Sequence, residues 1–411
     1  MARRRAHWGS LAALGTVVAW TPALAQTTDD VRHLAITTQV GTTYDSNVAR
    51  ASAAEAQRLN VSPGDVYVQP TVAIDALEPV GRESVFLTGS VGYNFYAHNT
   101  QLNRDTIDLT GGVSARVSRC LPQITGNYVR AQTQLEEFLP GPVAHSVSAQ
   151  NVGTRAGVGV ALSCPRAEGF SPTFSASHFT FNNSNNALSS TNYTGNSVMT
   201  GLAYSHSRFG SIQAFGNFTG IEYNNFFFVP FPPFFLKSNY DLYSYGVRMD
   251  RPIGSRLFGM VSVAYSSLRP ATQFVPGFSG VTYNSELTYQ MSPRLDFHVL
   301  VSRATLPTNQ VGGAYTIDNS RQIDAAYSLG ARLKLTVGGV DDPRSYQGGF
   351  IGASSGLLTS QRIDRAFGTL NIAVNRRVSV VLNAVDEHRT ASSALFKYVD
   401  NRVTLSLRSV F

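Results

Sequence analysis

The last twelve residues, Asp400-Asn401-Arg402-Val403-Thr404-Leu405-Ser406-Leu407-Arg408-Ser409-Val410-Phe411, decide the fold class. Val403, Leu405, Leu407 and Phe411 fall on one face, and Asp400, Arg402, Thr404, Ser406 and Arg408 on the other. A period of two is the mark of a strand with one apolar and one polar side. The same alternation recurs upstream from His33. It runs through Val85 to Phe95, with apolar residues or Gly at odd positions. Ile107, Leu109, Val113, Ala115 and Val117 alternate with Asp108, Thr110, Ser114 and Arg116. It returns in Leu257, Val261, Val263 and Tyr265, and in Leu295, Phe297, Val299 and Val301.

Composition narrows what such strands can build. Only 14% of the 411 residues are charged, against about a quarter in an ordinary soluble chain. The apolar fraction is 43%, so small polar residues and Tyr/Phe have taken the place of charge. A disordered chain would be highly charged and poor in aromatics. A helical membrane protein needs runs of roughly 20 apolar residues. Past residue 25 no uncharged apolar run approaches that, and the longest, Phe226 to Leu236, contains three prolines. An all-β chain remains, either a large soluble sheet protein or a membrane barrel.

The first residues point to export. Arg3, Arg4 and Arg5 precede a short apolar segment, Leu11 to Trp20. Pro22 and Ala23-Leu24-Ala25 then form a cleavage signature, which predicts a signal peptide over residues 1–25 and a mature chain from about Gln26. The residues that follow a twin-arginine pair in such signals are absent. Removing 1–25 takes away three arginines and no acid, leaving +4 of the formal +7. Much of the basicity is therefore targeting signal, and an exported protein has little access to nucleic acid. Residues 26–32 are expected to form a short periplasmic tail, too short for a plug domain of the siderophore-transporter kind. The barrel should then occupy 33–411.

Turn chemistry separates the two architectures. Short connections are expected at Glu78-Pro79, Cys120-Leu121-Pro122, Cys164-Pro165, Arg208-Phe209-Gly210, Pro252-Ile253-Gly254, Ser292-Pro293, Leu329-Gly330 and Arg376-Arg377. Longer loops rich in Asn, Pro, Gly and Ser lie between them, as at 134–145, 183–192, 224–239, 269–279 and 342–360. Short turns at one end and long loops at the other are the asymmetry of outer-membrane barrels. Eight turns and nine loops make an antiparallel up-and-down barrel of 18 strands, with 16 an acceptable count. Residues 33–411 then supply roughly 21 residues per strand with its connection, enough for the ~9–11 of a tilted spanning strand. An even count leaves both ends on the periplasmic side, in the outer membrane of a Gram-negative bacterium. Phe411, ending an alternating strand, has the form of the signal read by barrel-insertion machinery.

The apolar face should meet outer-membrane lipid, with Tyr44, Tyr93, Phe95, Tyr204, Tyr243, Tyr245, Tyr265, Tyr289 and Tyr327 in the aromatic girdles. The other face offers Asp108, Arg116, Arg155, Arg248, Glu286, Asp296, Asp324, Lys334, Arg365, Arg402 and Arg408 as lumen-lining residues, together with Gln69, Asn94, Gln213 and Asn217. Eighteen strands leave room for water inside. A plugged or side-chain-filled barrel is the alternative. The modest excess of basic residues favours anionic solutes only slightly.

Two cysteines, Cys120 and Cys164, are expected to form a periplasmic disulfide between tight turns on one rim, reached by a leaning of the 164–170 turn. The Phe/Pro-rich run 226–236 is either a contact surface, an aromatic constriction or an extension of the outer girdle.

Tyr44-Asp45-Ser46-Asn47-Val48, followed by Asp65-Val66-Tyr67-Val68-Gln69-Pro70-Thr71-Val72, resembles the start of outer-membrane β-barrel proteins from proteobacterial exopolysaccharide loci. The resemblance implies a porin-type barrel, a conduit for secreted polysaccharide or small hydrophilic solutes, and periplasmic export components as partners. It brings no catalytic residue. The Asp and Asn of the motif fit a turn equally well. A structural or adhesive barrel that binds a partner through its outer loops is the competing class. An outer-membrane hydrolase is a third, but His98, His145, His178 and His298 are scattered. No motif implies a cofactor or a metal, and nothing in the sequence identifies an oligomer interface.

Overall fold

The structure, a computed structural model, describes residues 32–132, 150–207, 210–225, 227–230, 233–237, 239–253, 256–273, 275–308, 314–347 and 358–411. The expected signal peptide and most of the short tail after it lie outside these residues, as does His145.

Alternation becomes sheet over almost the whole of this length. The first strands are β1 (His33–Asp45), β2 (Asp65–Val80), β3 (Glu83–Tyr96), β4 (Arg104–Ala115), β5 (Leu121–Gln132) and β6 (Val152–Ser163). They are followed by β7 (Gly169–Asn183), β8 (Tyr193–His206) and β9 (Gly210–Tyr223). A small separate hairpin, β10 (Phe227–Pro230) with β11 (Pro233–Leu236), interrupts the wall. The wall resumes with β12 (Tyr240–Ile253), β13 (Leu257–Pro270), β14 (Phe278–Ser292), β15 (Leu295–Pro307) and β16 (Tyr315–Leu329). It ends with β17 (Leu333–Gln347), β18 (Ser360–Ala373), β19 (Val378–Ala391) and β20 (Tyr398–Val410).

Each wall strand pairs antiparallel with its neighbours, and β20 pairs with β1, closing an 18-stranded sheet. Closure satisfies every edge, the condition for a sheet to cross hydrocarbon. Phe411 completes the seam: its N–H donates to the Ile36 carbonyl at 2.8 Å. Eighteen strands spaced ~4.8 Å and tilted ~40° enclose a cylinder roughly 35 Å across.

The apolar set faces outward. Val40, Val91, Val158, Val263, Ile323, Leu405 and their strand-mates are exposed, and so are Tyr44, Tyr93, Phe95, Tyr204, Tyr245, Tyr265, Tyr289 and Tyr327. A closed barrel with an outward apolar band and aromatic rims is an outer-membrane protein. The eight short connections and nine longer ones fall on opposite rims. The expected turn positions are close, with small corrections. β2 continues through Pro79 to Val80, so the first turn is at 81–82, with Gly81 at φ 66°. Leu121 and Pro122 belong to β5, and Pro252 and Ile253 to β12. Residues 342–347 are strand rather than loop, because β17 keeps its pairing as far as Gln347.

Cys120 and Cys164 are disulfide-bonded, with their Cα atoms 4.0 Å apart. No leaning of a turn is required. β5 and β6 are adjacent, with Leu121 opposite Ser163, so the two cysteines occupy the next rung of the same ladder.

Candidate functional site: the lumen and its outer mouth

Strand pairing fixes which side chains look inward. Of the residues named from sequence, Asp108, Arg155, Arg248, Glu286, Asp296, Asp324, Lys334, Arg365, Arg402 and Arg408 share the inner parity of their strands. Arg116 lies one residue past β4, exposed in the periplasmic turn 116–120. The named inward residues are spread over the wall rather than gathered. Arg365 and Arg402 alone converge, and they do so on a residue that alternation did not single out.

That residue is Glu387. Its carboxylate accepts from Arg365 Nε at 2.7 Å, from Arg402 Nη2 at 3.0 Å and from the Tyr398 hydroxyl at 2.7 Å. Arg402 Nε also lies 2.9 Å from Asp400 Oδ2. Glu387 and Asp400 are 1% and 0% exposed, so these charges are held by protein partners rather than by bulk water. The row continues along the wall. Arg344 pairs with Asp318 at 3.2 Å and Asp342 at 2.6 Å, and Arg389 binds Gln361 while lying over the Phe396 and Tyr398 rings. Each guanidinium sits across a strand from a carboxylate or amide, so β16 to β20 carry a nearly neutral ladder of alternating charge. Buried ions need such pairing, because leaving water costs several kcal/mol per ion.

The facing wall is aromatic. Phe179 and Phe181 of β7, Tyr193 of β8, Ile221 and Tyr223 of β9, Tyr240, Leu268 and Phe278 form one buried cluster on the inner surface. Tyr315 of β16 joins it, 1% exposed, with its ring 6.2 Å from that of Tyr240. By strand parity Tyr315 and Ile317 belong to the outer face, together with Ile323 and Tyr327. An outer face can touch the inner face of β9 to β14 only if its own strands lie inside them. The ladder between β14 and β15 runs no higher than Tyr283 opposite Arg303. Above that rung β15 parts from β14, while β16 keeps its pairing with β17 as far as Tyr315 opposite Gln347, so the upper end of the β15–β16 hairpin bends inward into the mouth with β17 still beside it. Its end is pinned to β9. The Tyr223 hydroxyl donates to the Ala314 carbonyl at 2.9 Å and accepts from the Thr308 N–H at 3.3 Å. Tyr315 Oη donates to the Pro276 carbonyl at 2.9 Å.

A second inward element covers another part of the rim. The loop 46–64 carries a short helix, α1 (Ala53–Arg58), capped by Ser52, whose Oγ accepts from the Glu55 N–H at 3.3 Å. Ser52 and Glu55 stand in capping-box spacing. Glu55 instead turns to Arg58, accepting from Nε at 2.9 Å, and raises that guanidinium above its ordinary pKa through the bond. Ala49, Ala51, Ala56, Leu59 and Val61 pack with Leu102 of the next loop and with Leu188 of the β7–β8 loop. The loop therefore reaches across several strands of the mouth.

The Tyr44–Val48 motif anchors this cap. Ser46 N donates to the Asn401 carbonyl at 3.0 Å, and the Asn401 N–H donates back to Ser46 Oγ at 2.7 Å. Asn47 N donates to Asp45 Oδ1 at 2.9 Å and to Asp400 Oδ1 at 3.2 Å. Asp65 accepts from the N–H groups of Asn99 and His98 at 2.7 and 3.1 Å. In both segments the acids and amides make turns, the first tying its loop to the closure seam and the second holding the β3–β4 loop, the turn-forming alternative left open by the sequence.

The histidines do not converge. His98 pairs with Asp65 at the outer rim, His178 with Asn196 on the outer face, and His298 with Thr288 on the inner face of β15. Among the described residues no grouping of His, Cys, Asp and Glu is suited to a metal ion. Side chains of the Phe/Pro-rich run 226–236 lie outside the described residues.

No family model matches the chain, and no curated protein matches it. Solved structures similar to it include a BenF-like porin from Pseudomonas fluorescens Pf-5, at TM-score 0.49 and 11% identity over 93% of this chain and 100% of that one. The OccK2 (OpdF) protein of Pseudomonas aeruginosa, crystallised with glucuronate, is similar at TM-score 0.48 and 11% identity, over 92% and 98%. The siderophore receptor PirA of the same species is similar at TM-score 0.44 and 9% identity, over 93% and 81%.

Proposed function

We propose that this barrel is an outer-membrane channel for small hydrophilic solutes, with an outer mouth narrowed by its own β15–β16 hairpin and by the loop 46–64. The observation that carries the reading is the inward face. Polar and charged residues line an 18-stranded cylinder too wide for its side chains to fill, a surface made for water and solutes. Because the mouth ladder pairs each Arg with an acid or amide, its net field is small and the expected preference for anions is slight. A secreted polysaccharide, implied by the resemblance of Tyr44–Val48, would use the same lumen, with periplasmic export components delivering the chain and the cap displaced outward.

The test is conductance of the refolded mature chain in a planar bilayer, with acidic and neutral oligosaccharides added to either side. Ohmic conductance reduced by short oligosaccharides supports a solute channel. Block only by long chains from the periplasmic side favours export of polysaccharide. A folded but silent barrel overturns both. It would favour a structural or partner-binding barrel, the reading to which the two inward elements at the mouth lend support.

A further inference from the structure

The outer face should be apolar through the bilayer, and on most of the wall it is. β3 presents Val85, Leu87, Gly89, Val91, Tyr93 and Phe95 without a charge. β16 to β19 differ. Outward parity there places Arg321, Asp341, Arg362, Asp364, Asp386 and His388 on the surface. They form one ion-paired patch: Arg362 to Asp341 at 2.9 Å, Arg362 to Asp364 at 3.1 Å, His388 to Asp386 at 3.2 Å and Arg321 to Asp341 at 3.5 Å.

Its height is the first anomaly. Along β18 the outward positions from the periplasmic end are Ile372, Leu370, Gly368 and Ala366, and then Asp364. Two residues of tilted strand rise about 5 Å, so Asp364 stands about 20 Å above Ile372, inside an apolar band about 25 Å tall. Asp386 is opposite Ala366, one step lower. Lipid tails cannot solvate these groups.

The second anomaly is shape. Gly339 and Ala366 floor a groove of about 540 Å³ on this face, bordered by Val299, Val301 and Ile323. A Cβ at Gly368 would meet nothing within 4 Å, and Gly368 is not among the residues with positive φ. The barrel itself does not require glycine there, so the lowered surface matters only to what approaches from outside.

We propose that this face is an interface between two copies of the chain, related by a twofold axis normal to the membrane and passing between β17 and β18. Both copies must share one orientation in the bilayer, so only such an axis is allowed, and it maps the left edge of the patch onto the right edge at the same height. The left edge is Arg321, 62% exposed and held by its own Asp341 at the longest distance of the set. The right edge is Asp386, half exposed. The operation sets Arg321 of one protomer against Asp386 of its partner, and the small residues let the walls close over the patch. A phosphorylated lipid headgroup fits less well, since three aspartates would face its phosphates.

Cysteine cross-linking in outer membranes tests this, since both native cysteines are already bonded. Gly368→Cys, close to the axis, should yield a disulfide-linked dimer at least tenfold more than Val91→Cys on the β3 wall. Arg321→Glu should lower the dimer yield of Gly368→Cys several-fold, and adding Asp386→Arg should restore it. Equal cross-linking from both walls, with barrels folded by heat-modified gel mobility, would overturn the proposal. So would cross-linking to a protein of another mass, or a monomer that retains outer-leaflet glycolipid lost on Arg321→Glu.

Discussion

Glu387 shows how one inward side chain can depend on three others. Arg365, Arg402 and Tyr398 all donate to its carboxylate, which is nearly sealed from water. Glu387→Gln leaves two guanidiniums without their shared charge, and removing one member of a buried pair costs about 3–5 kcal/mol. Denaturant unfolding in detergent should show that loss. In bilayers the same variant should shift the reversal potential toward anions, and an unchanged potential would remove the ladder from the ion path. Alternation revealed which face Arg365 and Arg402 occupy, because a period of two is local. It did not reveal that they meet at Glu387, because that depends on the register between strands, which single-strand patterns do not carry. Gly368 was invisible for the opposite reason: within a strand it reads as one more small residue.

At the scale of elements, the β15–β16 hairpin is the part of the fold least legible in the sequence. Its strands alternate like any others, yet Tyr315 and Ile317 bury their outward side against β9 to β14. Period-two patterning cannot distinguish a lipid-facing aromatic from one folded back against a second sheet. The Tyr223 hydroxyl holds the hairpin end through two hydrogen bonds to backbone groups. Tyr223→Phe removes both bonds, and loss of a partner at a buried polar group costs about 1–3 kcal/mol. The expected result is faster amide exchange in 303–308 and 314–317 and a noisier conductance, with global unfolding little changed. If exchange there stays as slow as in the wall, the hairpin is held by packing alone. The turns and loops, by contrast, were legible to within a few residues, because Pro, Gly and Asn act on the backbone locally.

At the scale of the molecule, alternation and the two kinds of connection together point to the barrel and narrow its strand number to 18 or 16, of which the structure has 18. They do not specify what fills the mouth or covers the outside, since both depend on contacts between residues far apart in sequence. The disulfide belongs to this scale as well. Cys120 and Cys164 enclose a segment with a sequence separation of 44 that includes β5, a long loop and β6. By loop-closure entropy, cross-linking such a segment constrains the unfolded chain by about 4 kcal/mol. Cys120→Ser should therefore lower the denaturant midpoint and slow refolding, without altering conductance. Alkylation of the native protein before reduction should add no mass.

The seam between β1 and β20 has a further consequence, for the order of events. The rung of Tyr44 opposite Val403 joins the two ends of the sheet, so the first strand to emerge waits for the last. Until then the growing sheet carries two open edges that would pair with any neighbouring strand. The Asp45–Asn47 knot cannot form early, since Asp400 and Asn401 lie at the far end of the chain. Assembly of the wall is thus gradual but its completion is a single event, and a chaperone or insertase must hold the edges apart until that event occurs.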